Sequence, residues 1–359
     1  MSKRLFNFNA GPSTLPLKVL KEVKKNVVEY GKKGLSILEM SHRSDAFEAI
    51  VNDAKQSVKS LMKVPDNYEI LFLQGGASMQ FCMVPYNLLK DGETVDFVNT
   101  GSWTNKAIKE AKKFGNVNIA ASSEDKGFSY IPEVTASQFS DNAEYVHITS
   151  NNTIAGTQWA DFPETPSPLV ADMSSDIMSR NVDVSKFGII FAGAQKNIGP
   201  AGVTLVIIRK DLIGNCPESV PTMLNYETHA KKNSMFNTPP CFPIYVVQLV
   251  LKNLLKLGGI DKMEEINNEK AGLIYDAIDA GDYYTGKSER NSRSKMNVTF
   301  RLPSEELEAK FIAEGLEKGL HGLKGHRSVG GVRASIYNAM PLEGVEKLVG
   351  FMGDFKKNN

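Results

Sequence analysis

Short apolar runs alternate with helical patterns along the first two thirds of the chain. Glu69-Ile-Leu-Phe-Leu73, Val95 to Val98 and Tyr145-Val-His-Ile-Thr149 each have the length and composition of a buried strand. Between such runs, apolar residues recur every three or four positions, as they do from Phe47 to Leu61. This alternation predicts an α/β fold with a mostly parallel sheet and helices on both faces.

Two further apolar runs enclose a turn that is rich in Gly and Pro. Ile189-Ile-Phe191 and Val203 to Ile208 have strand length, and the segment between them contains Lys196. Burial disfavours a charged ammonium and lowers its pKa, which leaves a free amine that can attack an aldehyde or a ketone. A lysine in a hairpin is more often a solvated turn residue, so its position alone does not assign a function.

An acidic residue ends another apolar run upstream of this turn. Asp172 follows Leu169-Val-Ala171, where a carboxylate at a strand end invites a cationic partner. Pyridoxal phosphate enzymes use such a carboxylate to hold the proton on the pyridine nitrogen of the cofactor. As a lone feature Asp172 also suits a helix cap, because serines follow it. Its pairing with Lys196 favours the cofactor interpretation.

Two other strand ends carry small or aromatic residues. Gln74-Gly-Gly-Ala-Ser78 leads into a helix predicted to begin near Met79, where backbone N–H groups and the helix dipole favour a phosphate. Trp103 is predicted in a loop before a helix from Thr104 to Phe114, where its ring can stack on a flat cofactor. Taken singly, the Gly-Gly pair indicates only a tight turn, and a tryptophan is most often a core residue.

Composition narrows the class of protein. A chain of 359 residues fits one large domain with a smaller one. The 42 basic and 41 acidic residues leave a net charge of +1, which predicts no binding to nucleic acid or to a membrane surface. The three cysteines have no zinc-binding spacing, so we expect no metal site and a reducing, cytoplasmic location. No apolar run approaches the ~20 residues of a membrane span.

Segments along the whole chain resemble one family. Ala192-Gly-Ala-Gln-Lys-Asn-Ile-Gly-Pro-Ala-Gly202 resembles the lysine segment of the phosphoserine aminotransferases, which are class V, fold-type I pyridoxal phosphate enzymes. The other segments that resemble this family, in its order, are Asn7–Pro12, Met40–Ser44, Gly101–Trp103, Ser234–Pro240 and Gly325–Ala339. The resemblance implies a fold-type I architecture with a seven-stranded-type sheet. It predicts an N-terminal arm over residues 1–15, a large cofactor-binding domain over 16–258 and a small C-terminal α/β domain over 259–359. An arm of this kind often lies across another subunit.

The resemblance also implies which residues bind the cofactor, pyridoxal 5'-phosphate. Lys196 and Asp172 are the implied catalytic residues. The implied cofactor-binding residues are Ala77, Ser78, Trp103, Thr153, Asp172, Gln195, Lys196, Asn237 and Thr238. The last two match residues that reach the cofactor phosphate of the partner subunit, which implies a homodimer with shared sites. Some relatives carry Gly-Arg at positions 77 and 78, so the role of the Ser78 side chain stays open.

Two His-Arg pairs and a further arginine match the substrate-binding residues of the family. The resemblance assigns Arg333 to the α-carboxylate of the substrate. It assigns His42, Arg43, His326 and Arg327 to the phosphate of phosphoserine or to the side-chain carboxylate of glutamate. Paired Arg and His suit a phosphate dianion. Without the resemblance, each pair reads as solvated surface, and Ser44 or Asp45 as a helix cap.

The implied activity is reversible amino transfer between glutamate and 3-phosphohydroxypyruvate, which gives O-phosphoserine and 2-oxoglutarate in serine biosynthesis. Whether phosphohydroxythreonine of pyridoxine biosynthesis is also a substrate stays open. The nearest alternative is another class V enzyme, such as a serine-glyoxylate aminotransferase. A cysteine desulfurase needs an activated loop cysteine, and a dehydrogenase needs GxGxxG; the sequence has neither. A non-catalytic relative would lack Lys196 or Asp172.

Overall fold

The computed structural model describes residues 4–359 of the chain. The helices in this range are α1 (Leu17–Val28), α2 (Asp45–Met62), α3 (Gly76–Leu88), α4 (Ser102–Ala111), α5 (Tyr226–Lys231), α6 (Cys241–Lys256), α7 (Gly259–Asp279), α8 (Glu305–Glu317) and α9 (Leu342–Asn358). The strands are β1 (Phe6–Asn7), β2 (Tyr68–Leu73), β3 (Thr94–Asn99), β4 (Asn116–Ser122), β5 (Ala143–Thr149), β6 (Asn151–Asn152), β7 (Thr157–Gln158), β8 (Leu169–Asp172), β9 (Phe187–Gly193), β10 (Thr204–Arg209), β11 (Thr285–Gly286), β12 (Asn297–Arg301), β13 (Leu320–His321) and β14 (Val332–Ser335).

A seven-stranded sheet forms the centre of the larger part of the molecule. Its strand order is β2-β10-β9-β8-β5-β3-β4. Strand β10 runs antiparallel to both of its neighbours, and the remaining pairs are parallel. The mostly parallel sheet predicted from the sequence is therefore confirmed. Parallel strands place their carboxyl ends at one edge, where α/β proteins bind ligands.

Helices cover both faces of this sheet, because successive strand residues point to opposite sides. In β10, Leu205 and Ile207 pack with residues of α1, α2 and α6, whereas Val206 and Ile208 pack with residues of α3, α4 and α5. Among residues 4–359, no single helix has both the length and the apolar composition to cross a membrane. Helices α6 and α7 meet these two criteria only when they are taken together, and the chain bends by 83° between them.

A second sheet organises the C-terminal part of the chain. Strands β11, β12 and β14 form an antiparallel sheet, and its buried side chains pack with those of α7, α8 and α9. The early residues of α7, Ile260 and Met263, pack instead with the core of the larger sheet. Helix α7 thus contributes to both cores, and the domain boundary between residues 258 and 259 stays a prediction.

The N-terminal arm lies along its own chain. Strand β1 pairs in parallel with β13 of the C-terminal part. Farther along the arm, the N–H of Ser13 donates to the carbonyl of Gln195 at 2.9 Å. The arm therefore runs from β13 of the C-terminal part to the turn that contains Lys196. These contacts are within one chain, and the contact of the arm with another subunit stays a prediction.

Two predicted helix starts were wrong by two or three residues. Helix α3 begins at Gly76 rather than near Met79, and α4 covers Ser102–Ala111 rather than Thr104 to Phe114. In both places the residue before the helix is a glycine with positive φ, namely Gly75 at 85° and Gly101 at 155°. This backbone freedom lets the chain enter the helix without an intervening loop. Trp103 consequently lies in the first turn of α4 and not in a loop.

Candidate active site

Lys196 lies in the turn between β9 and β10, at the carboxyl edge of the large sheet. Its ammonium nitrogen Nζ donates a hydrogen bond to Oγ1 of Thr153 at 2.7 Å. The same atom lies 5.8 Å from the centroid of the Trp103 ring. The hydroxyl of Ser13 donates to the backbone carbonyl of Lys196. The arm and the two strands therefore fix the lysine backbone while its amine points toward Thr153 and Trp103.

The surroundings of Lys196 favour its neutral amine. Burial lowers the pKa of this lysine to about 8, and the positive charge of Arg333 acts in the same direction. The carboxylates of Asp172 and Asp176 oppose the shift. Because its pKa lies below the ordinary lysine value, more of this amine is in the nucleophilic form near neutral pH. The desolvation expected from the sequence is present.

Asp172 is the last residue of β8 and is only 4% exposed. Burial raises the pKa of its carboxyl group, while hydrogen bonds from Ser174 and the charge of Lys196 oppose this shift. One of those bonds runs from the N–H of Ser174 to Oδ1 at 2.9 Å. Within residues 4–359, no cation lies at ion-pair distance from Asp172. This carboxyl group therefore lacks the cationic partner that would stabilise its charge.

A cavity of about 230 Å³ joins these residues. Of the predicted site, it is lined by Ala77, Ser78, Trp103, Asp172, Gln195 and Lys196. The first turn of α3 forms one wall, and its first intrahelical bond runs from the N–H of Met79 to the carbonyl of Gly75. The N–H groups of the preceding residues are therefore free for an anion at the positive end of the helix dipole.

Basic residues of the second sheet approach the same region. Nη1 of Arg333, on β14, donates to the backbone carbonyl of Thr153 at 3.3 Å. His326 lies in the preceding segment, where its Nδ1 is 2.7 Å from the hydroxyl of Ser328. Burial lowers the pKa of His326, and the charges of Arg333, Arg327 and Lys106 add to this effect. The charges of Arg327 and Arg333 therefore act on His326 within one chain, and the assignment of these residues to substrate binding stays a prediction.

Eight predicted site residues do not line this cavity: Thr153, His326, Arg327 and Arg333, described above, and His42, Arg43, Asn237 and Thr238. His42 and Arg43 precede α2, which begins after the cap formed by Ser44, and they do not line the cavity. Asn237 and Thr238 lie beside Gln74, whose Nε2 donates to the carbonyl of Thr238 at 3.2 Å. They do not line the cavity either. Their assignment to a site shared between subunits stays a prediction.

The structure adds polar residues that sequence reasoning missed. Asp176 is 4% exposed and accepts hydrogen bonds from Ser150 and, at 3.0 Å, from Gln158. Its charge acts on Lys196, and Arg180 lies 3.8 Å from it. Asn151 lines the cavity and donates to Ser175 at 2.8 Å. The signal available in the sequence was the position of these residues just beyond strand ends.

Comparisons with known proteins agree with this geometry. The family model described as aminotransferase class-V matches residues 5–348. A phosphoserine aminotransferase of Desulfosudis oleivorans is 58% identical, with both chains covered completely. Another, of Desulfotalea psychrophila, is 57% identical over 100% of this chain and 99% of its own.

Solved structures give the same result. The phosphoserine aminotransferase of Bacillus circulans subsp. alkalophilus is 51% identical, superposes with a TM-score of 0.97 and is matched over 99% of each chain. That of Trichomonas vaginalis, solved with bound PLP, is 36% identical, with a TM-score of 0.92 over 98% of this chain and 100% of its own. An alanine-glyoxylate aminotransferase of Nostoc, at 14% identity and a TM-score of 0.79, shares the fold, with 99% of this chain and 96% of its own covered. The chain belongs to the class-V aminotransferase family and, within it, groups with the phosphoserine aminotransferases.

Proposed function

We propose that this protein is a pyridoxal phosphate-dependent phosphoserine aminotransferase. It transfers the amino group of glutamate to 3-phosphohydroxypyruvate and gives O-phosphoserine and 2-oxoglutarate. The observation that carries the proposal is the meeting of Lys196, Asp172 and the first turn of α3 at one cavity. The name shared by relatives that match the whole chain supports the same substrates.

The residues at the cavity fit pyridoxal phosphate group by group. Asp172 is a buried carboxyl group without a cationic partner among the described residues of its own chain. It can therefore pair with the protonated pyridine nitrogen of the cofactor. The free N–H groups at the start of α3 suit the phosphate, beside Ala77 and Ser78. Trp103 offers a ring face, and Gln195 and Thr153 offer polar contacts near Lys196. We therefore assign these residues to cofactor binding.

When bound, the cofactor supplies an aldehyde for the amino group and a ring that accepts electrons from the α-carbon of the substrate. The amine of Lys196 would hold the cofactor, and the same amine in its free form would be the base that moves the α-proton. Its lowered pKa suits this role, since the amine is available to accept a proton. Asp172 holds the proton on the ring nitrogen. Thr153 orients the amine of Lys196.

The substrate is held by cations at both ends. Arg333 binds the α-carboxylate, and its hydrogen bond to Thr153 places it beside Lys196. His326 and Arg327 bind the distal phosphate or carboxylate, and His42 and Arg43 join them from the partner subunit of a homodimer. Residues 42 and 43 lie outside the cavity of their own chain, which supports this arrangement. We also propose that the enzyme acts in the cytoplasm and accepts phosphohydroxythreonine in pyridoxine biosynthesis.

An absorbance titration tests the proposed function. Purified protein saturated with pyridoxal phosphate is expected to show a visible band that glutamate bleaches toward the ultraviolet. Phosphohydroxypyruvate is then expected to restore the band, because it accepts the amino group that glutamate gave up and leaves the cofactor in its aldehyde form again. Borohydride treatment followed by peptide mass mapping should place the cofactor on Lys196.

Two variants complete this experiment. Lys196→Ala should keep the cofactor noncovalently and lose activity by several powers of ten, since the base and the attachment point are one amine. Lys210→Ala, a change of an exposed lysine at the end of β10, is the matched control and should behave as the wild type. Cofactor found on another lysine, or bleaching by glutamate that phosphohydroxypyruvate does not reverse, would contradict the proposal.

A further inference from the structure

Helix α4 brings a second lysine to the indole ring at the site. Trp103 and Lys106 are three residues apart and therefore share one face of this helix. Nζ of Lys106 lies 4.1 Å from the centroid of the Trp103 ring, and Nζ of Lys196 lies 5.8 Å from it. Two ammonium groups thus lie over one ring that lines the cavity, and the side chain of Lys106 is exposed.

Lys106 also acts on the basic cluster of the second sheet. Its positive charge lowers the pKa of His326, together with burial and the charges of Arg333 and Arg327. Three positive charges, those of Lys106, Arg327 and Arg333, therefore act on His326. Within residues 4–359, no carboxylate lies at ion-pair distance from Lys106, His326, Arg327 or Arg333. A bound anion would reduce the repulsion among these positive charges.

Trp103 contributes a hydrogen-bond donor to this region. Its indole Nε1 is buried and has no acceptor among the described residues. A buried donor without a partner is costly, and an acceptor oxygen of a ligand removes that cost. The ring thus combines an unpaired N–H with a cation held over its face.

We propose that Lys106 is a specificity-determining residue, which adds positive charge for the distal anionic group of the substrate. This inference rests on the proposed function, because the distal group is the phosphate of phosphoserine or the side-chain carboxylate of glutamate. A dianion gains more than a monoanion from an additional positive charge. Lys106 therefore favours phosphoserine over glutamate, and both over an amino acid with an uncharged side chain.

The test compares three substrates in the holoenzyme. Lys106→Met keeps an apolar chain over the Trp103 ring and removes the charge. We expect its kcat/KM for phosphoserine to fall about threefold to tenfold, mainly through KM, as for a charge pair near the surface. The ratio of kcat/KM for phosphoserine to that for serine should fall by the same factor, and the loss with glutamate should be smaller. Lys106→Arg should keep the wild-type ratio.

The matched control is Lys109→Met, a change of an exposed lysine on the same helix that does not act on His326. This variant should keep the wild-type substrate ratio. An independent readout is the NMR titration of His326, whose pKa should rise in Lys106→Met and stay unchanged in Lys109→Met. The rise follows because removing a nearby positive charge makes the imidazolium easier to form.

The outcomes separate the two proposals. A wild-type enzyme that does not turn over phosphoserine would overturn the proposed function. The NMR titration of His326 and the competition by inorganic phosphate would still test whether Lys106 adds positive charge for an anion at this site. A phosphoserine-to-serine ratio that is unchanged in Lys106→Met would overturn the inference. So would a Lys109→Met variant that lowers the ratio equally, since the effect would then reflect general surface charge.

Discussion

At the scale of a single residue, burial keeps the imidazole of His147 neutral. His147 lies on β5 and is 2% exposed. Its ring centroid is 4.8 Å from that of Phe97 and 6.1 Å from that of Phe191, and its Nε2 has no partner among residues 4–359. Burial lowers the pKa of His147 to about 3. The folded protein therefore holds a neutral imidazole between aromatic rings.

This residue predicts a loss of stability in mild acid. Because the folded pKa lies below the unfolded value, the unfolded chain binds a proton that the folded chain does not. The contribution of His147 to the free energy of unfolding is complete above pH ~7 and falls by about 1.4 kcal/mol per pH unit below ~6.5. We expect the free energy of unfolding, measured with urea, to fall between pH 7.5 and pH 5.5. This fall should be smaller by about 1.4 kcal/mol in His147→Phe than in the wild type. Equal drops in the two proteins would refute this account.

At the scale of elements, a buried lysine joins α7 to the turn that follows β14. Lys270 is fully buried, and its Nζ donates to the carbonyls of Ile336 and Tyr337 at 2.9 Å and of Met340 at 3.2 Å. The same turn contains Asn338, whose N–H donates at 3.1 Å to Oδ1 of Asn197, the neighbour of Lys196. The turn between the two sheets is therefore fixed from both sides.

We expect Lys270→Met to destabilise the protein by about 3 kcal/mol, because three buried carbonyls each lose a hydrogen bond and only that of Tyr337 keeps another donor, the N–H of Met340. The matched control is Lys262→Met on the same helix, which removes only the exposed ion pair with Glu265. This control should change stability by less than about 0.5 kcal/mol. Urea denaturation of both variants measures the difference. Equal stabilities would mean that the carbonyls find other partners.

At the scale of the whole molecule, one chain completes only part of the proposed site. Lys196, Asp172 and Trp103 share a cavity, whereas Asn237 and Thr238 lie beside Gln74 and do not line it. Near these two residues, Phe236 is 43% exposed, which is unusual for a large apolar side chain. The proposed homodimer accounts for both features, since a partner would cover the apolar ring and receive the polar side chains.

Subunit mixing tests the shared site. Lys196→Ala and the double variant Asn237→Ala/Thr238→Ala should each be weakly active alone. A mixed dimer contains one site with an intact lysine and intact partner residues, so random reassortment should restore about a quarter of the wild-type activity. Activity at limiting cofactor measures this restoration.

The control for mixing is the pair Lys196→Ala and Asp172→Asn. Both residues line the cavity of one chain, so no site in their mixed dimer is intact. Mixing these two variants should restore nothing. If the Asn237/Thr238 pair also fails to complement, the two residues do not serve a site in the partner.

The sequence by itself predicted six of the seven strands of the large sheet, all except β4, and the position of Lys196 and Asp172 at its edge. The reason is local, since apolar runs form buried strands and the chain places functional residues just beyond them. Helix starts were less certain, because positive φ at Gly75 and Gly101 is a backbone property that hydrophobic spacing does not encode.

Only the tertiary structure decided which distant residues act together. The charge of Asp176 acts on the pKa of Lys196, and the charge of Lys106 acts on that of His326, although the residues of each pair are distant in the sequence. Lys270 reads in the sequence as an ordinary helix lysine, yet folding places it against three carbonyls about 70 positions away. Such pairings depend on how helices and sheets pack against one another. The hydrophobic and polar pattern along each helix or strand is the same whether or not the contact forms, so the sequence does not predict the contact.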